Sequence, residues 1–309
     1  MTAPRGALGT TPGFPPLLLS VGERGGQSDT FRGGCPWDIS AALRGAVFLS
    51  VCRPGFYEGS GPYQVALSRA PFDGYDVIAE DSAPLGSPTI SPDGNWVAFD
   101  VFRDKEPPSL AIVRPDGTDR RVLADGHYSA AWAPDSRRLI ARNNATGALD
   151  IVDLHGRTTR LALGTSAAWQ PHGRLIAYIG PGGRLIVSRN DGKQRRVFGP
   201  AEQNTPAWSP DGRALAYVSE SDRLSHGLLL WNSRTHRTRV LVRHAGYQPT
   251  WSPDSRFVAV LGAPYTTSVG YGLVSVARAG GHASLLYPSG SVSRAGWLRT
   301  GRIAFVQGP

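Results

Sequence analysis

The chain has 309 residues, of which 33 are basic and 24 acidic, and its formal net charge is +9. A compact fold of this length buries roughly 75% of the unfolded surface, so its core requires neither metals nor disulfides. The arginines are spread along the sequence without a basic run, which argues against a specific nucleic-acid partner. No stretch approaches the roughly 18 apolar residues of a membrane helix, and no signal peptide is recognisable.

Residues 1–34 are rich in glycine, proline, serine and threonine, without the period of a strand or a helix. We expect them to form a disordered or loosely packed arm. From residue 35 onward, short apolar runs alternate with Gly/Pro/Asp turns about every 8–12 residues. This pattern predicts an all-β domain over residues 35–309.

The chain contains two cysteines, Cys35 and Cys52, near the start of this domain. Their spacing does not match a zinc site. A disulfide between them would close a short loop and add roughly 3 kcal/mol of stability in an oxidising compartment. Two free thiols are the alternative, and the sequence leaves both open.

One segment recurs six times in the all-β region. In each copy a strand ends at a large apolar residue, a turn of the type Ser-Pro-Asp-Gly follows, and a second strand begins with a sequence such as Leu-Ala-Tyr. The lead residues, 42, 37, 39, 43 and 46 positions apart, are Ile90, Trp132, Trp169, Trp208, Trp251 and Trp297. A Leu-x-Val strand and an Arg-x-Leu strand complete most copies. Four strands in a repeat of about 40 residues indicate a β-propeller.

The ends of the chain supply incomplete repeats. Three predicted strands, near residues 45–51, 63–69 and 76–80, precede the first copy, and one strand follows Trp297. We expect the N- and C-terminal segments to share a composite blade, which closes a six-bladed propeller of four-stranded antiparallel blades. Alternatively, residues 35–39 begin a full first blade and a seventh, incomplete blade trails at the C-terminus.

The repeat assigns structural roles to its most conspicuous residues. Proline fixes φ for the turn, aspartate bonds its own backbone and glycine accepts a positive φ. This applies to Asp93, Gly94, Asp211 and Gly212. The five tryptophans are expected to pack between adjacent blades, because a ligand platform would not need one indole per blade. Ser136 and Ser255 replace the turn glycine, so strain or a different turn is expected there.

The tryptophan, the Ser-Pro-Asp-Gly turn and the Ile-Ala-Tyr strand together resemble the repeats of TolB-like propellers. The resemblance covers residues 35–309 and implies a bacterial protein with a protein or peptide partner in the periplasm or outside the cell. Similar repeats occur in the propeller domains of prolyl oligopeptidase-type peptidases. Their hydrolase domain carries a Gly-x-Ser-x-Gly motif, which this sequence lacks.

Chemistry-bearing motifs do not stand out. The sequence offers no phosphate-binding loop, no metal-ligand spacing and no cofactor motif, and most of its histidines fall in predicted turns. Propellers usually bind ligands at the loops that lead into their innermost strands. The residues at those positions, three to five before each lead residue, are His127, Tyr128, Gln203, Asn204, Tyr247, Gln248 and Arg294.

These side chains suit a polar peptide or a small ligand. We therefore predict a monomeric, non-enzymatic interaction module without a catalytic residue, metal or cofactor. The alternative is a propeller-type hydrolase or lyase that acts on a sugar, lactone or peptide at the central channel. Such an enzyme would need convergent carboxylates or metal ligands there.

Overall fold

The computed structural model describes residues 62–69, 75–201, 206–219, 227–243, 245–262, 272–281, 283–287, 292–298 and 302–307. It also describes the backbone of residues 18–22, 29–31, 38–41 and 46–52. These residues form twenty-eight strands and one short 3-10 turn, Pro181–Gly183.

In chain order the strands are β1 (Leu18–Gly22), β2 (Asp29–Phe31), β3 (Asp38–Ala41), β4 (Ala46–Cys52), β5 (Tyr63–Arg69), β6 (Tyr75–Asp81), β7 (Leu85–Ile90), β8 (Val97–Val101), β9 (Ser109–Val113), β10 (Arg121–Asp125), β11 (His127–Trp132), β12 (Arg138–Asn143), β13 (Ala148–Asp153), β14 (Thr158–Leu163), β15 (Thr165–Trp169), β16 (Leu175–Gly180), β17 (Arg184–Arg189), β18 (Arg196–Pro200), β19 (Ala207–Trp208), β20 (Ala214–Ser219), β21 (Gly227–Asn232), β22 (Thr238–Val242), β23 (Tyr247–Trp251), β24 (Phe257–Gly262), β25 (Gly272–Ala277), β26 (Ser284–Tyr287), β27 (Val292–Trp297) and β28 (Arg302–Gln307).

Seven four-stranded antiparallel sheets contain these strands. Blades 1 to 6 are β3–β6, β7–β10, β11–β14, β15–β18, β19–β22 and β23–β26, and blade 7 combines β27 and β28 with β1 and β2. The first strand of every blade contacts the first strand of the next, and β27 in turn contacts β3. The first strands therefore surround a common axis in a closed ring, as in a propeller.

The hydrophobic core lies between adjacent blades. One cluster, for example, joins Ala216 and Val218 of blade 5 to Val258 and Val260 of blade 6. Similar clusters join each described pair of neighbours, so blades 2 to 6 bury both of their faces, which explains why their second and third strands are apolar almost throughout. We call the end of a blade where its first strand begins the leading end, and the opposite end, where the first turn lies, the turn end.

The predicted number of six blades is wrong, because the described strands form seven sheets. Strand β3 gives blade 1 its own first strand, as in the alternative based on residues 35–39. The predicted composite blade is present, but its outer strands β1 and β2 come from the segment that we expected to be an arm. Strand β1 pairs with β28 from Leu18↔Val306 to Gly22↔Arg302. The pairing satisfies backbone groups that the edge of the β27–β28 hairpin would otherwise expose.

The repeated indoles lie between blades. Trp132, Trp169, Trp208, Trp251 and Trp297 are all buried. Four of them donate a hydrogen bond from Nε1 to a carbonyl of the preceding blade, as Trp251 does to Ala207 O over 2.9 Å. In each case the acceptor carbonyl belongs to the residue directly before the lead residue of the preceding blade. These contacts make the indole both a hydrophobic wedge and a polar tie between blades.

The turn serines also tie blades together. Ser136 and Ser255 adopt the positive φ of a turn glycine, at 57° and 62°. Ser136 Oγ accepts the amide hydrogen of Asp93, and Ser255 Oγ accepts that of Asp211, each over 3.0 Å from the preceding blade. A glycine would relieve the backbone strain but remove this hydroxyl. The inter-blade hydrogen bond explains serine at these two positions.

The turn aspartates predict a loss of stability in acid. Partial burial pushes the pKa of Asp211 upward, but hydrogen bonds from Ser209, Arg213 and Arg278 outweigh it and hold the pKa below its ordinary value. When a carboxyl group has a lower pKa in the folded state than in the unfolded state, it stabilises the folded state at pH values above the unfolded pKa. We therefore expect the free energy of unfolding to fall as the pH drops from about 5 through the folded pKa.

Urea unfolding at a series of pH values measures this dependence. The Asp211→Asn variant lacks the titrating group and should show a shallower decline than the wild type. An equal slope for both proteins would contradict the assignment to Asp211.

Candidate functional site

Four of the seven predicted binding residues lie at the leading ends of two first strands. His127 and Tyr128 begin β11, and Tyr247 and Gln248 begin β23. The sequence predicted loops at these positions, but the residues belong to the strands themselves. Arg294 lies in β27, where only its backbone is described. Gln203 and Asn204 lie outside the described residues.

A β-bulge interrupts these first strands near the leading end. The register shifts between Tyr128 and Ala131 in β11, and between Tyr247 and Thr250 in β23. The bulge residues adopt a left-handed backbone, with φ of 55° at both Ser129 and Gln248. Such bulges redirect side chains and are frequent beside binding sites. Ser87 and Ser166 repeat the conformation in β7 and β15, so it is a feature of the blade.

His127 is the centre of a buried polar cluster in blade 3. His127 is 6% exposed, and Asp150 beside it is 7% exposed. Nδ1 lies 2.9 Å from the Asp125 carbonyl oxygen and Nε2 lies 3.0 Å from Asp150 Oδ2. Asn143 Nδ2 donates to the same carboxylate oxygen over 3.1 Å. We call His127, Asn143 and Asp150 the blade 3 triad.

The partners of His127 restrict its chemistry. Both ring nitrogens face oxygen atoms of the protein, so the ring is held by hydrogen bonds at both positions. In this arrangement neither nitrogen is available to accept a proton from a substrate. The triad as it stands is therefore an internal hydrogen-bonded cluster.

Two more charged residues flank the triad. Asp100 of blade 2 is 1% exposed, and both its carboxylate oxygens accept the Ser129 amide hydrogen, over 3.0 and 3.1 Å. The guanidinium of Arg142 lies 5.7 Å from the ring centre of Tyr128, within the range of a cation–π contact. Asp100 thus holds the bulge of β11, and Arg142 lies beside the partly exposed Tyr128.

Asp100, Arg142, Asn143 and Asp150 were not among the residues predicted from the sequence. A signal was present in the repeat for Asp150, which stands where other copies are apolar. The pairing register aligns Asp150 with Ala111, Ile186, Leu229 and Val274. It likewise aligns His127 and Asn143 with the paired Leu85 and Val101 of blade 2. A comparison of the copies position by position would have found the cluster.

Tyr247 is the most exposed of the predicted binding residues in the described part of the chain, at 47%. The described residues contain no group of three or more His, Cys, Asp or Glu side chains that could hold a metal ion. They also contain no helix long and apolar enough to cross a membrane. Cys52 ends β4, but Cys35 lies outside the described residues, so the disulfide stays a prediction.

Solved structures share this fold. An oligogalacturonate lyase in complex with manganese superposes with a TM-score of 0.69 at 14% identity, over 96% of this chain and 97% of the lyase. TolB from Acinetobacter baumannii superposes with a TM-score of 0.59 at 15% identity, over 87% of this chain and 66% of TolB. At such identities the likeness concerns the fold alone.

A sequence relative supports the same grouping. The Tol-Pal system protein TolB of Gluconobacter oxydans (strain 621H) is 33% identical over 105 residues, which are 29% of this chain and 23% of that protein. The match therefore spans about a quarter of its relative. The sequence pattern of the TolB beta propeller domain matches residues 55–300. Since this match takes in most of the repeats and blades described above, the chain belongs to the TolB beta propeller domain family.

Proposed function

We propose that the propeller is a non-enzymatic interaction module that binds a protein or peptide at the leading end of its first strands. The observation that carries the proposal is the division of roles among the side chains there. His127, Asp150 and Asp100 are buried and hydrogen-bonded within the protein. Tyr128 and Tyr247 reach the surface, with Arg142 beside Tyr128. Tyrosine and arginine dominate the binding energy of protein interfaces.

Membership of the TolB beta propeller domain family supports a protein partner, since one relative is a Tol-Pal system protein. The match spans only 23% of that relative, so the relative's partner is not assigned to this chain. An experiment has to identify the partner. Placing a photo-crosslinking amino acid at Tyr247 should capture it from an extract of the source organism. The same amino acid at Val197, which is exposed on the fourth strand of blade 4, is the control.

Affinity for the purified partner then tests the surface. Replacing Tyr128, Tyr247 and Arg294 with alanine together should weaken binding at least about tenfold, because each replacement removes a side chain typical of interface hot spots. Replacing Val122, Val197 and Val240 with alanine changes exposed residues on three fourth strands and should leave the affinity unchanged. Equal affinity for both triple variants, measured by calorimetry, would refute binding at the leading end.

A second candidate function is a propeller-type hydrolase or lyase that acts on a sugar, lactone or peptide at the central channel. The buried His127–Asp150 pair and the fold shared with an oligogalacturonate lyase favour it. His127 would first have to release Asp125 or Asp150 in order to accept a proton. Turnover of an oligogalacturonide, lactone or peptide that the wild type shows, and that a folded variant without the triad loses, would support this function.

A further inference from the structure

The turn ends of blades 4 and 5 carry an excess of positive charge. The first and third turns of these blades (residues 170–174, 189–196, 209–213 and 232–239) contain nine basic residues and two acidic ones, Asp191 and Asp211. The exposed basic residues without an ion pair to any described acidic side chain are Arg174, Lys193, Arg195, Arg196, Arg213, Arg234, Arg237 and Arg239. In blades 2 and 3, by contrast, Arg114 pairs with Asp119 and Arg138 with Asp135.

A cavity of about 180 Å³ opens within this basic region, where blade 5 meets blade 6. Three arginines, two threonines and an asparagine line its polar side, and Trp231 and Leu230 lie behind them. The arginines are Arg237, Arg239 and Arg278. Ligand sites for drug-sized molecules measure roughly 300–1,000 Å³, so this cavity suits a small group or the end of a larger ligand.

Two of the three arginines are held in place by other parts of the fold. Arg239 donates to the carbonyl oxygens of Ala279 and Arg278, and Arg278 donates to Asp211 Oδ2 over 2.7 Å. A guanidinium has five N–H donors, so each retains donors beyond these bonds. Arg237 is exposed and has no ion pair within the described part of the chain. Three positive charges therefore meet one carboxylate.

We propose that this cavity binds the phosphate group of a phosphate-bearing ligand. A tetrahedral oxyanion has several terminal oxygens that can accept hydrogen bonds from more than one guanidinium at once, and arginine forks match that geometry. The cavity lies at the turn end, opposite the leading end, and so the proposal is independent of the interaction surface described above.

The repeat explains why the cavity is basic at this junction. The amide of Arg278 bonds the first turn of its own blade at Arg256 O. The equivalent amides in blades 4 and 5 belong to Asn190 and Ser233, which bond Arg174 O and Arg213 O. Only blade 6 among these three therefore has an arginine at that position. Arg237 has a counterpart in Arg157 of blade 3, since each carbonyl closes the third turn of its blade.

This correspondence supplies a matched pair of variants. Arg237→Gln removes one guanidinium from the cavity, whereas Arg157→Gln removes an exposed arginine from the equivalent turn, away from the cavity. Both side chains are exposed, so neither change should unfold the protein. Calorimetric titration of the full chain with inorganic phosphate in a low-salt buffer should show saturable binding at one site. Arg237→Gln should weaken it about tenfold, as expected for one lost charge-assisted hydrogen bond, and Arg157→Gln should not.

Two further titrations distinguish the source of the phosphate. A sugar phosphate tests a soluble phosphomonoester, and vesicles that contain phosphatidylglycerol test a lipid headgroup. Arg237-dependent binding of either one assigns the phosphate to that class of ligand. The proposal is overturned if phosphate does not bind saturably, or if Arg237→Gln and Arg157→Gln weaken binding equally, since the latter would indicate general attraction to a basic surface.

Discussion

Asp150→Ala is expected to lower the free energy of unfolding by about 1–3 kcal/mol for each buried polar group that loses its hydrogen-bond partner. The His127 ring would keep its Asp125 contact but lose the carboxylate that lies 3.0 Å from Nε2. Asn143 would lose the same acceptor. Urea unfolding of the wild type and the variant measures the difference.

Blade 2 supplies the control for this variant. At the positions of His127, Asn143 and Asp150 it has Leu85, Val101 and Ala111, which are buried in one hydrophobic cluster. The combined change His127→Leu, Asn143→Val and Asp150→Ala should therefore restore stability to within about 1 kcal/mol of the wild type or beyond it, because replacing all the hydrogen-bonding partners with apolar groups is often nearly neutral or stabilising.

The comparison separates a structural role of the triad from a functional one. If the triple variant is as unstable as Asp150→Ala, the hydrogen-bonded triad stabilises the fold on balance and needs no other explanation. If the triple variant is stable, the triad has a purpose other than stability. That variant is then also the folded protein required for the enzymatic assays proposed above.

Trp251→Ala is expected to destabilise the protein by about 3–5 kcal/mol, because it leaves a large cavity between blades 5 and 6. Trp251 is 6% exposed and packs within the cluster that joins these blades. Its Nε1 also donates to Ala207 O over 2.9 Å. Thermal and urea unfolding measure the loss, and hydrogen exchange would place the first opening at this junction.

A second pair of variants separates the hydrogen bond from the packing. Trp251→Phe keeps most of the ring but removes the donor. Trp169→Phe makes the same change at an equivalent indole whose buried Nε1 has no hydrogen-bond partner within the described structure. The cavity costs should be similar, so Trp251→Phe should be more destabilising by about 1 kcal/mol, the net value of one hydrogen bond. Equal costs would mean that the bond to Ala207 contributes nothing.

The propeller fold brings together arginines that are far apart in the sequence. Along the chain they form no cluster, which argued against a specific nucleic-acid partner. A repeat of about 40 residues nevertheless brings its third turns to the same end of every blade. Arg196 donates to His236 O and Arg239 to Ala279 O, so some arginines link one blade to the next. Others, such as Arg237, contribute to the cavity at the turn end.

Local interactions account for what the sequence by itself determined. Proline, aspartate and glycine fix the turns, the apolar runs fix the strands, and the period of the tryptophans fixes the four-stranded unit, so the all-β repeat was predictable from residue 90 onward. The need to cover the open edge of the last hairpin also predicted a composite blade. Each of these follows from chemistry within a few residues or from a repeated pattern.

Only the tertiary structure decided the number of blades and the polar cluster. The pairing of β1 with β28 joins two segments that are separated by almost the whole chain. Residues 18–31 contain no repeat motif that would have predicted this pairing. The blade 3 triad similarly joins residues from three strands, and each partner alone looks like an ordinary turn or surface residue in the sequence. Burial leaves His127 and Asp150 to hydrogen-bond with each other instead of with water, and burial depends on the blades packed around them.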